Sequence, residues 1–157
     1  MEFKKNGLSS SAVLILIAIM SLTGLSSAVA EEAPKVVKIT VDDAKPYFPP
    51  GHFKMDAMGL IGGIAGNAKE VAVSLSIFQP GGGADRSAKP GESIYFVLEG
   101  KLTITTPDGD ITLNQYDSIY RPAGSVAGIT NKSSKPVKML VIFPTTGPSP
   151  GEAPPKK

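Results

Sequence analysis

The sequence predicts an all-β protein, and three observations support this prediction. Short segments alternate between apolar and polar residues, which is the pattern of strands with one buried face. Turn-forming residues are frequent, with 17 glycines and 14 prolines among 157 residues. No window of ten or more residues after position 30 has helical periodicity. Eight or more short strands with regular turn signals are typical of a sandwich or a barrel.

Residues 1–30 are predicted to be an export signal rather than part of the fold. Two early lysines precede an apolar run over residues 12–25, and Ala28-Val29-Ala30 matches the small-x-small pattern of signal peptidase cleavage. This run has about 14 residues, whereas a membrane-spanning helix needs about 20. We therefore expect a mature chain that begins at Glu31, is exported to the periplasm or the cell exterior, and has no membrane partner after cleavage. A retained membrane anchor is the alternative.

Residues 31–69 are expected to form an N-terminal strand and a connector that packs on the barrel. Alternating apolar residues predict the strand over residues 35–43. Three prolines exclude a helix over residues 45–51. Several glycines over residues 59–66 indicate a bent strand or a close backbone approach.

Residues 70–144 are expected to form the barrel core. Residues 70–79 alternate, and Pro80-Gly81-Gly82-Gly83 is expected to end that strand. Residues 93–99 are apolar on both faces, so we expect them to be covered on both sides. Further strands are predicted over residues 101–105, 111–113, 118–120, 126–131 and 137–143, with a hairpin turn at Asp108-Gly109. Residues 145–157 are rich in proline, have no large apolar residue, and are predicted to be a disordered tail.

Composition excludes several classes of function. The chain has no cysteine, which rules out disulfides, thiolate zinc sites and cysteine nucleophiles. It has a single histidine, His52, so no site can draw two imidazoles from one chain. The formal net charge is +2, and no basic cluster or aromatic platform points to a nucleic-acid partner.

Two segments resemble the motifs of the cupin family, which is a small double-sheet jelly-roll barrel. The glycine-rich turn at residues 80–83 and the strand end at residues 95–100 match the frame of the first motif. The second motif is matched in register by Asp117, Pro122, Gly124 and Asn131, although Tyr116 replaces its usual glycine. The resemblance covers residues 70–143. It implies a double-stranded β-helix (jelly-roll) barrel that forms a homodimer.

The resemblance also locates the family's metal ligands, and this chain departs from the family there. The four ligand positions fall on Ser87, Lys89, Ser93 and Ala127. Serine hydroxyls are poor donors to a divalent ion, a lysine ammonium repels one, and alanine has no donor. We therefore expect no metal and no cofactor.

Nine residues are candidates for a pocket in place of the metal site. By alternation and by the family frame, Ser93 and Tyr95 face the barrel interior, and so do the small or polar residues of a later strand. The full candidate set is His52, Arg86, Ser87, Lys89, Ser93, Tyr95, Ser125, Ala127 and Asn131. These residues line a small cavity in one interpretation and merely fill the barrel in the other.

Three of the charged or titratable candidates have specific alternatives. A desolvated Lys89 could act as a base or form a Schiff base, whereas a turn lysine would point into water. Arg86 could hold a carboxylate in a bidentate pair or be a solvated loop charge. His52 suits acid–base chemistry near neutral pH, whereas a lone histidine beside Phe53 is more often a packed or hydrogen-bonded structural residue.

The leading functional hypothesis is a metal-free small-molecule-binding module that works as a homodimer. In the dimer, residues 36–41 of one copy would cover residues 94–98 of the other. The alternative is a cupin-type enzyme, an isomerase, lyase or oxygenase-like protein, that acts on a small polar or carbohydrate-derived substrate. A third possibility is a filled barrel that acts through its surface. The catalytic residues and the identity of the ligand do not follow from the sequence.

Overall fold

The computed structural model describes residues 35–145, and all of these except the first two belong to one compact unit that begins at Val37. The predicted export signal and all but the first residue of the predicted tail lie outside the described residues. Within residues 35–145, no helix is long and apolar enough to cross a membrane. The strands in this part of the chain are β1 Lys45–Tyr47, β2 His52–Ile61, β3 Val71–Ala88, β4 Ser93–Glu99, β5 Leu102–Thr106, β6 Gly109–Leu113, β7 Ser118–Arg121, β8 Val126–Thr130 and β9 Val137–Pro144.

The strands form a nearly closed antiparallel barrel, which confirms the predicted all-β jelly-roll fold. The order is β6-β5-β8-β3-β9-β4-β7, with β2 paired to β3 and β1 paired to β2. The hairpin turn predicted at Asp108-Gly109 joins β5 to β6. Two short 3₁₀ helices, Val41–Asp43 and Gly63–Ala65, are the only helices of the described residues.

Strand β3 is the centre of this topology because it changes partner halfway along its length. Residues 71–78 pair with β9, and residues 83–88 pair with β8. The predicted end of this strand after Gln79 is therefore wrong. Pro80 and the glycines after it bend the chain without reversing it, and β2 passes this bend with a shift in register around Lys54.

The core lies between the two layers of the barrel, where alternate residues of β4, β5 and β9 point inward. Its fully buried apolar side chains include Phe78, Val97, Leu102, Ile104, Val137 and Met139. Period-two burial of this kind is what the alternating sequence segments predict.

The strand predicted over residues 35–43 is wrong. Residues 35–40 form no strand, and Val41–Asp43 is a 3₁₀ helix whose start is capped by hydrogen bonds from the Thr40 backbone N–H and hydroxyl to the Asp43 carboxylate, at 2.9 and 2.6 Å. Val36, Val37 and Val41 are exposed. An alternating pattern becomes a strand only where a partner strand can pair with it, and the described residues offer none here. The connector that follows instead forms β1 and β2.

Strand β4 is buried on one face more completely than on the other. Ser93, Tyr95 and Val97 are buried, whereas Ile94 on the opposite face is 43% exposed. The prediction that both faces are covered therefore fails for this chain taken by itself. Its outward face carries apolar surface that the strand's own neighbours do not cover.

Candidate functional site

The barrel contains an interior cavity of about 200 Å³ beside strands β3, β4 and β9. Four of the residues predicted for a pocket line it together: His52, Lys89, Ser93 and Tyr95. Tyr47 and Ser76 complete its polar wall. The apolar wall is formed by Phe78, Ile129, Met139, Val141 and Phe143.

The N-terminal segment contributes to the wall of this cavity. Tyr47 of β1 and Pro49 after it lie on one side, and Gly63 and Ile64 of the second 3₁₀ helix lie on another. Gly59 has to be glycine for Ile64 to lie there, because an added Cβ would stand 2.3 Å from the Ile64 methyl group. The segment predicted to pack on the barrel therefore supplies part of the wall of the cavity.

Lys89 lies in the turn between β3 and β4, where backbone hydrogen bonds fix its position. Its N–H donates to the Ser125 carbonyl at 3.4 Å, and its own carbonyl accepts from the Gly124 N–H at 2.7 Å. The side chain is half-buried, in contrast to a turn lysine that points into water. Burial, helped by the positive charge of Arg121, lowers the pKa of Lys89.

His52 begins β2 and contacts the chain just before it. Its Nδ1 is 3.0 Å from the Pro50 carbonyl oxygen, which can only accept, so the proton of the neutral ring is on Nδ1 and Nε2 is left as an acceptor. Burial lowers the pKa of His52, the Pro50 carbonyl opposes that shift, and the charge of Lys89 adds to it. The ring is therefore neutral near pH 7.

Arg121, at the end of β7, orients Tyr95 and was missed by sequence reasoning. Its Nη1 donates to the Tyr95 hydroxyl at 2.7 Å, and its Nη2 donates to the carbonyls of Ser87 and Ser125 at 3.3 and 2.9 Å. The guanidinium carbon lies 5.5 Å from the centre of the Tyr95 ring. The residue is only 3% exposed, and its Nε has no partner among the described residues. No sequence pattern pointed to it, because its place opposite Ser93 depends on the pairing of β7 with β4.

Tyr47 and Ser76 were also missed. Ser76 is buried on the inward face of β3, as alternation from Phe78 would have indicated. Tyr47 follows a proline in the connector, where no pattern pointed inward. Burial raises the pKa of Tyr47, so its hydroxyl stays protonated at physiological pH.

Two of the predicted residues face a different space. Ser125 and Ala127 line a more open groove of about 480 Å³ beside the β5–β6 hairpin, together with Arg121. Arg121 therefore stands between this lateral groove and the interior cavity, because its partner Tyr95 lines the cavity. The predicted single pocket is divided in two.

Three predicted residues line neither space. Arg86 and Ser87 are exposed on β3, although the Ser87 carbonyl accepts from Arg121. Asn131 is fully buried and holds the bend of β3, since its amide donates to the carbonyls of Phe78 and Lys135 at 2.9 and 2.8 Å. Because its amide is used in these hydrogen bonds, the Asn131 side chain stabilises the fold and is not available to a ligand in the cavity.

The residues at the family's metal positions do not fit a divalent cation. Ser87 is exposed, Lys89 carries a positive charge, and Ala127 has no donor atom. Ser93 alone offers a buried oxygen, and that oxygen is neutral. Residues 35–145 contain no group of three or more His, Cys, Asp or Glu side chains that could hold a metal ion.

Known proteins resemble this chain in sequence and in fold. A family model described as "Cupin domain" matches residues 74–143. Beta-D-galactosidase Rv1717 of Mycobacterium tuberculosis is 31% identical over 106 residues, which span 67% of this chain and 91% of that protein. The polyketide cyclase RemF from Streptomyces resistomycificus aligns with a TM-score of 0.65 at 20% identity, over 78% of this chain and 89% of that one. A sugar phosphate isomerase from Silicibacter pomeroyi aligns with a TM-score of 0.58 at 22% identity, over 70% and 76% of the two chains.

Proposed function

The chain belongs to the cupin superfamily, and from that premise we propose that it is an exported, metal-free module that binds a small molecule inside its barrel. The observation that supports this proposal is the convergence of His52, Lys89, Ser93 and Tyr95 on one interior cavity. Small-molecule sites commonly combine a mostly apolar wall with a few polar groups. A cavity of about 150 Å³ is enough to hold benzene, so about 200 Å³ suits a ligand of one ring or of similar size.

A ligand-observed NMR screen tests this proposal. Saturation-transfer spectra of the full chain with a library of one-ring and short-chain molecules are expected to identify binders. The control is Val141→Phe, which puts a larger side chain into the cavity wall and is checked for folding by circular dichroism. Binders that lose their signal in this variant support binding inside the barrel. A screen without binders, or with binders that the variant does not affect, contradicts it.

A second candidate function is an enzyme whose acid–base groups are His52 and Lys89. Both side chains line the same cavity, and the charge of Lys89 acts on the pKa of His52. A neutral imidazole beside a lysine of lowered pKa is suited to moving a proton on a bound substrate. The substrate would be a small polar or carbohydrate-derived molecule, and the reaction an isomerisation or an elimination, because proton transfer alone can carry out either.

The name of one relative makes a β-galactoside a natural first substrate to test. Glycoside hydrolysis by its common routes uses two carboxylates that flank the bond, and no Asp or Glu of residues 35–145 lines the interior cavity. We therefore expect no hydrolysis of p-nitrophenyl β-D-galactoside above background. Hydrolysis that His52→Asn abolishes would establish the enzyme function instead.

Export rests on the sequence of the first thirty residues. Expression of the full chain in a bacterial host, followed by fractionation and intact-mass measurement, is expected to give a periplasmic or secreted protein that begins at Glu31. A protein that keeps its first thirty residues in the cytoplasmic fraction would contradict the proposal.

The homodimer is proposed from the exposed apolar surface of this chain. Ile94 on the outward face of β4 and three valines of residues 36–41 are exposed. In a homodimer, the valines of one copy would lie on the β4 surface of the other copy, and both apolar surfaces would be removed from water.

A further inference from the structure

Tyr95 is fixed as a hydrogen-bond donor to the interior cavity. An arginine can only donate, so the hydrogen bond from Arg121 Nη1 uses the Tyr95 oxygen as an acceptor. The Tyr95 hydroxyl can then donate its own hydrogen to a different group. Among the described residues no acceptor takes it, and the side chain lines the cavity.

Ser93 adds a second unused polar group at the same wall. It lies directly opposite Arg121 in the pairing of β4 with β7, is 4% exposed, and lines the cavity. Its Oγ has no hydrogen-bond partner among the described residues. Buried hydroxyls are nearly always hydrogen-bonded in folded proteins, so an unpaired one beside a cavity points to a ligand atom.

Lys89 brings a positive charge without a matching negative one. The ion pairs of the described residues join Lys132 to Asp110 and Lys138 to Glu99, which leaves Lys89 and Arg121 without a carboxylate partner there. The charge of Asp85 affects the pKa of His52. Asp85 is exposed, however, and does not line the cavity. A half-buried cation such as Lys89 attracts an anion more strongly than a cation in water does.

We propose that the ligand of the interior cavity is a small organic acid, with its carboxylate held by Lys89, Tyr95 and Ser93. A carboxylate only accepts hydrogen bonds, which matches the donors left unused on this wall. The apolar lining of the cavity, which includes Phe78, Met139 and Phe143, suits a compact apolar body such as a single ring. This inference rests on the proposed binding function and adds the chemical class of the ligand.

Benzoate and benzamide form a matched pair of probes, because they have nearly the same shape and differ in charge. Titration calorimetry of the full chain is expected to give at least tenfold tighter binding of benzoate than of benzamide. Lys89→Met keeps the length of the side chain but removes the charge, and is expected to weaken benzoate binding at least tenfold with little effect on benzamide. Lys132→Met removes an exposed lysine and is expected to leave benzoate binding unchanged.

To control for an altered fold, the melting temperature of Lys89→Met is compared with that of the wild type, and Ser93→Ala serves as a second variant. Ser93→Ala is expected to weaken benzoate binding severalfold. Equal binding of benzoate and benzamide, or benzoate binding that neither variant weakens, overturns the organic-acid assignment while the binding function stands. If benzoate, benzamide and every molecule of the NMR screen fail to bind, the binding function itself is overturned.

Discussion

At the scale of single residues, Arg121 is a buried charge that acts on the cavity through its hydrogen bond to Tyr95. It is almost fully buried and has no carboxylate partner among residues 35–145. Three hydrogen bonds to neutral acceptors offset part of the cost of desolvating its charge. The remaining cost is one that a neutral side chain of similar volume would not have.

This balance predicts the effect of Arg121→Met on the ligand-free protein. Methionine fills much of the same volume without a buried charge, so the free energy of unfolding is expected to stay unchanged or to rise by about 1–2 kcal/mol. Urea denaturation of the dialysed protein measures this, with Lys132→Met as an exposed control that is expected to change little. A loss of more than about 2 kcal/mol would show that the three hydrogen bonds outweigh the desolvation cost.

His52 gives a prediction for stability against pH. Its pKa is lower in the folded state than the ordinary value of 6.5, mainly because of burial, and Lys89, Asp85 and the Pro50 carbonyl also act on it. The unfolded chain therefore binds the extra proton first, and stability falls as the pH drops from about 6.5 through the folded pKa. Since His52 is the only histidine, His52→Gln is expected to lose this part of the slope in urea denaturation between pH 7.5 and 5. Identical slopes for both proteins would contradict it.

Sequence reasoning at this scale found four of the six polar side chains that line the interior cavity. Alternation along one strand placed Ser93 and Tyr95 on the same face, and the cavity indeed has both. It could not find Arg121, because that residue reaches Tyr95 from a different strand and the pairing of strands is not written in their periodicity. Asn131 was misread for a similar reason, since its partners lie 53 and 4 residues away.

At the scale of elements, the bend of β3 is the feature that positions the site. The glycines of residues 81–83 were predicted to end a strand. In the structure, they instead allow the backbone of β3 to approach the backbones of β2 and β8 closely. A Cβ on Gly83 would stand 2.1 Å from the Ile129 carbonyl oxygen, and one on Gly82 would stand 2.2 Å from the Lys54 carbonyl oxygen. A glycine run in a sequence signals a turn and a close approach equally well, so only the three-dimensional pairing distinguishes them.

Gly83→Ala tests this role of the bend. The added carbon cannot be accommodated without moving β8, so the substitution is expected to cost at least about 2 kcal/mol of stability. Gly128→Ala is the matched control on the facing strand, because its added carbon would stand 3.3 Å from the Ala84 carbonyl oxygen and requires a much smaller shift. Thermal and urea unfolding of both variants provide the measurement. Equal losses of stability would remove the special role assigned to Gly83.

The N-terminal segment shows where element prediction fails and why. Later strands were located well because each has a neighbour in the barrel, as the pairing of β5 with both β6 and β8 illustrates. Residues 35–43 alternate just as clearly, yet they form no strand because nothing among the described residues pairs with them. Periodicity predicts which face of a strand would be buried. Whether the strand forms depends on a neighbouring strand that can pair with it.

At the scale of the whole molecule, the exposed face of β4 predicts self-association. Sedimentation velocity at micromolar concentration is expected to give a dimer, and Ile94→Asp is expected to give a monomer that keeps the wild-type circular dichroism. Ile111→Asp is the matched control, since Ile111 on β6 is 42% exposed, close to the 43% of Ile94. A wild-type monomer, or a dimer that both variants leave intact, would exclude this face as the interface.

The barrel, the cavity and the unused donors together imply one central property: the interior holds a small organic acid through side chains alone. Native mass spectrometry with elemental analysis, on protein purified under native conditions from expression of the full chain, tests this most directly. The predicted result is an organic acid retained at about one molecule per chain, with no metal at stoichiometric level. A stoichiometric metal ion would contradict it, because the donors at Ser87, Lys89, Ser93 and Ala127 would then have been misjudged.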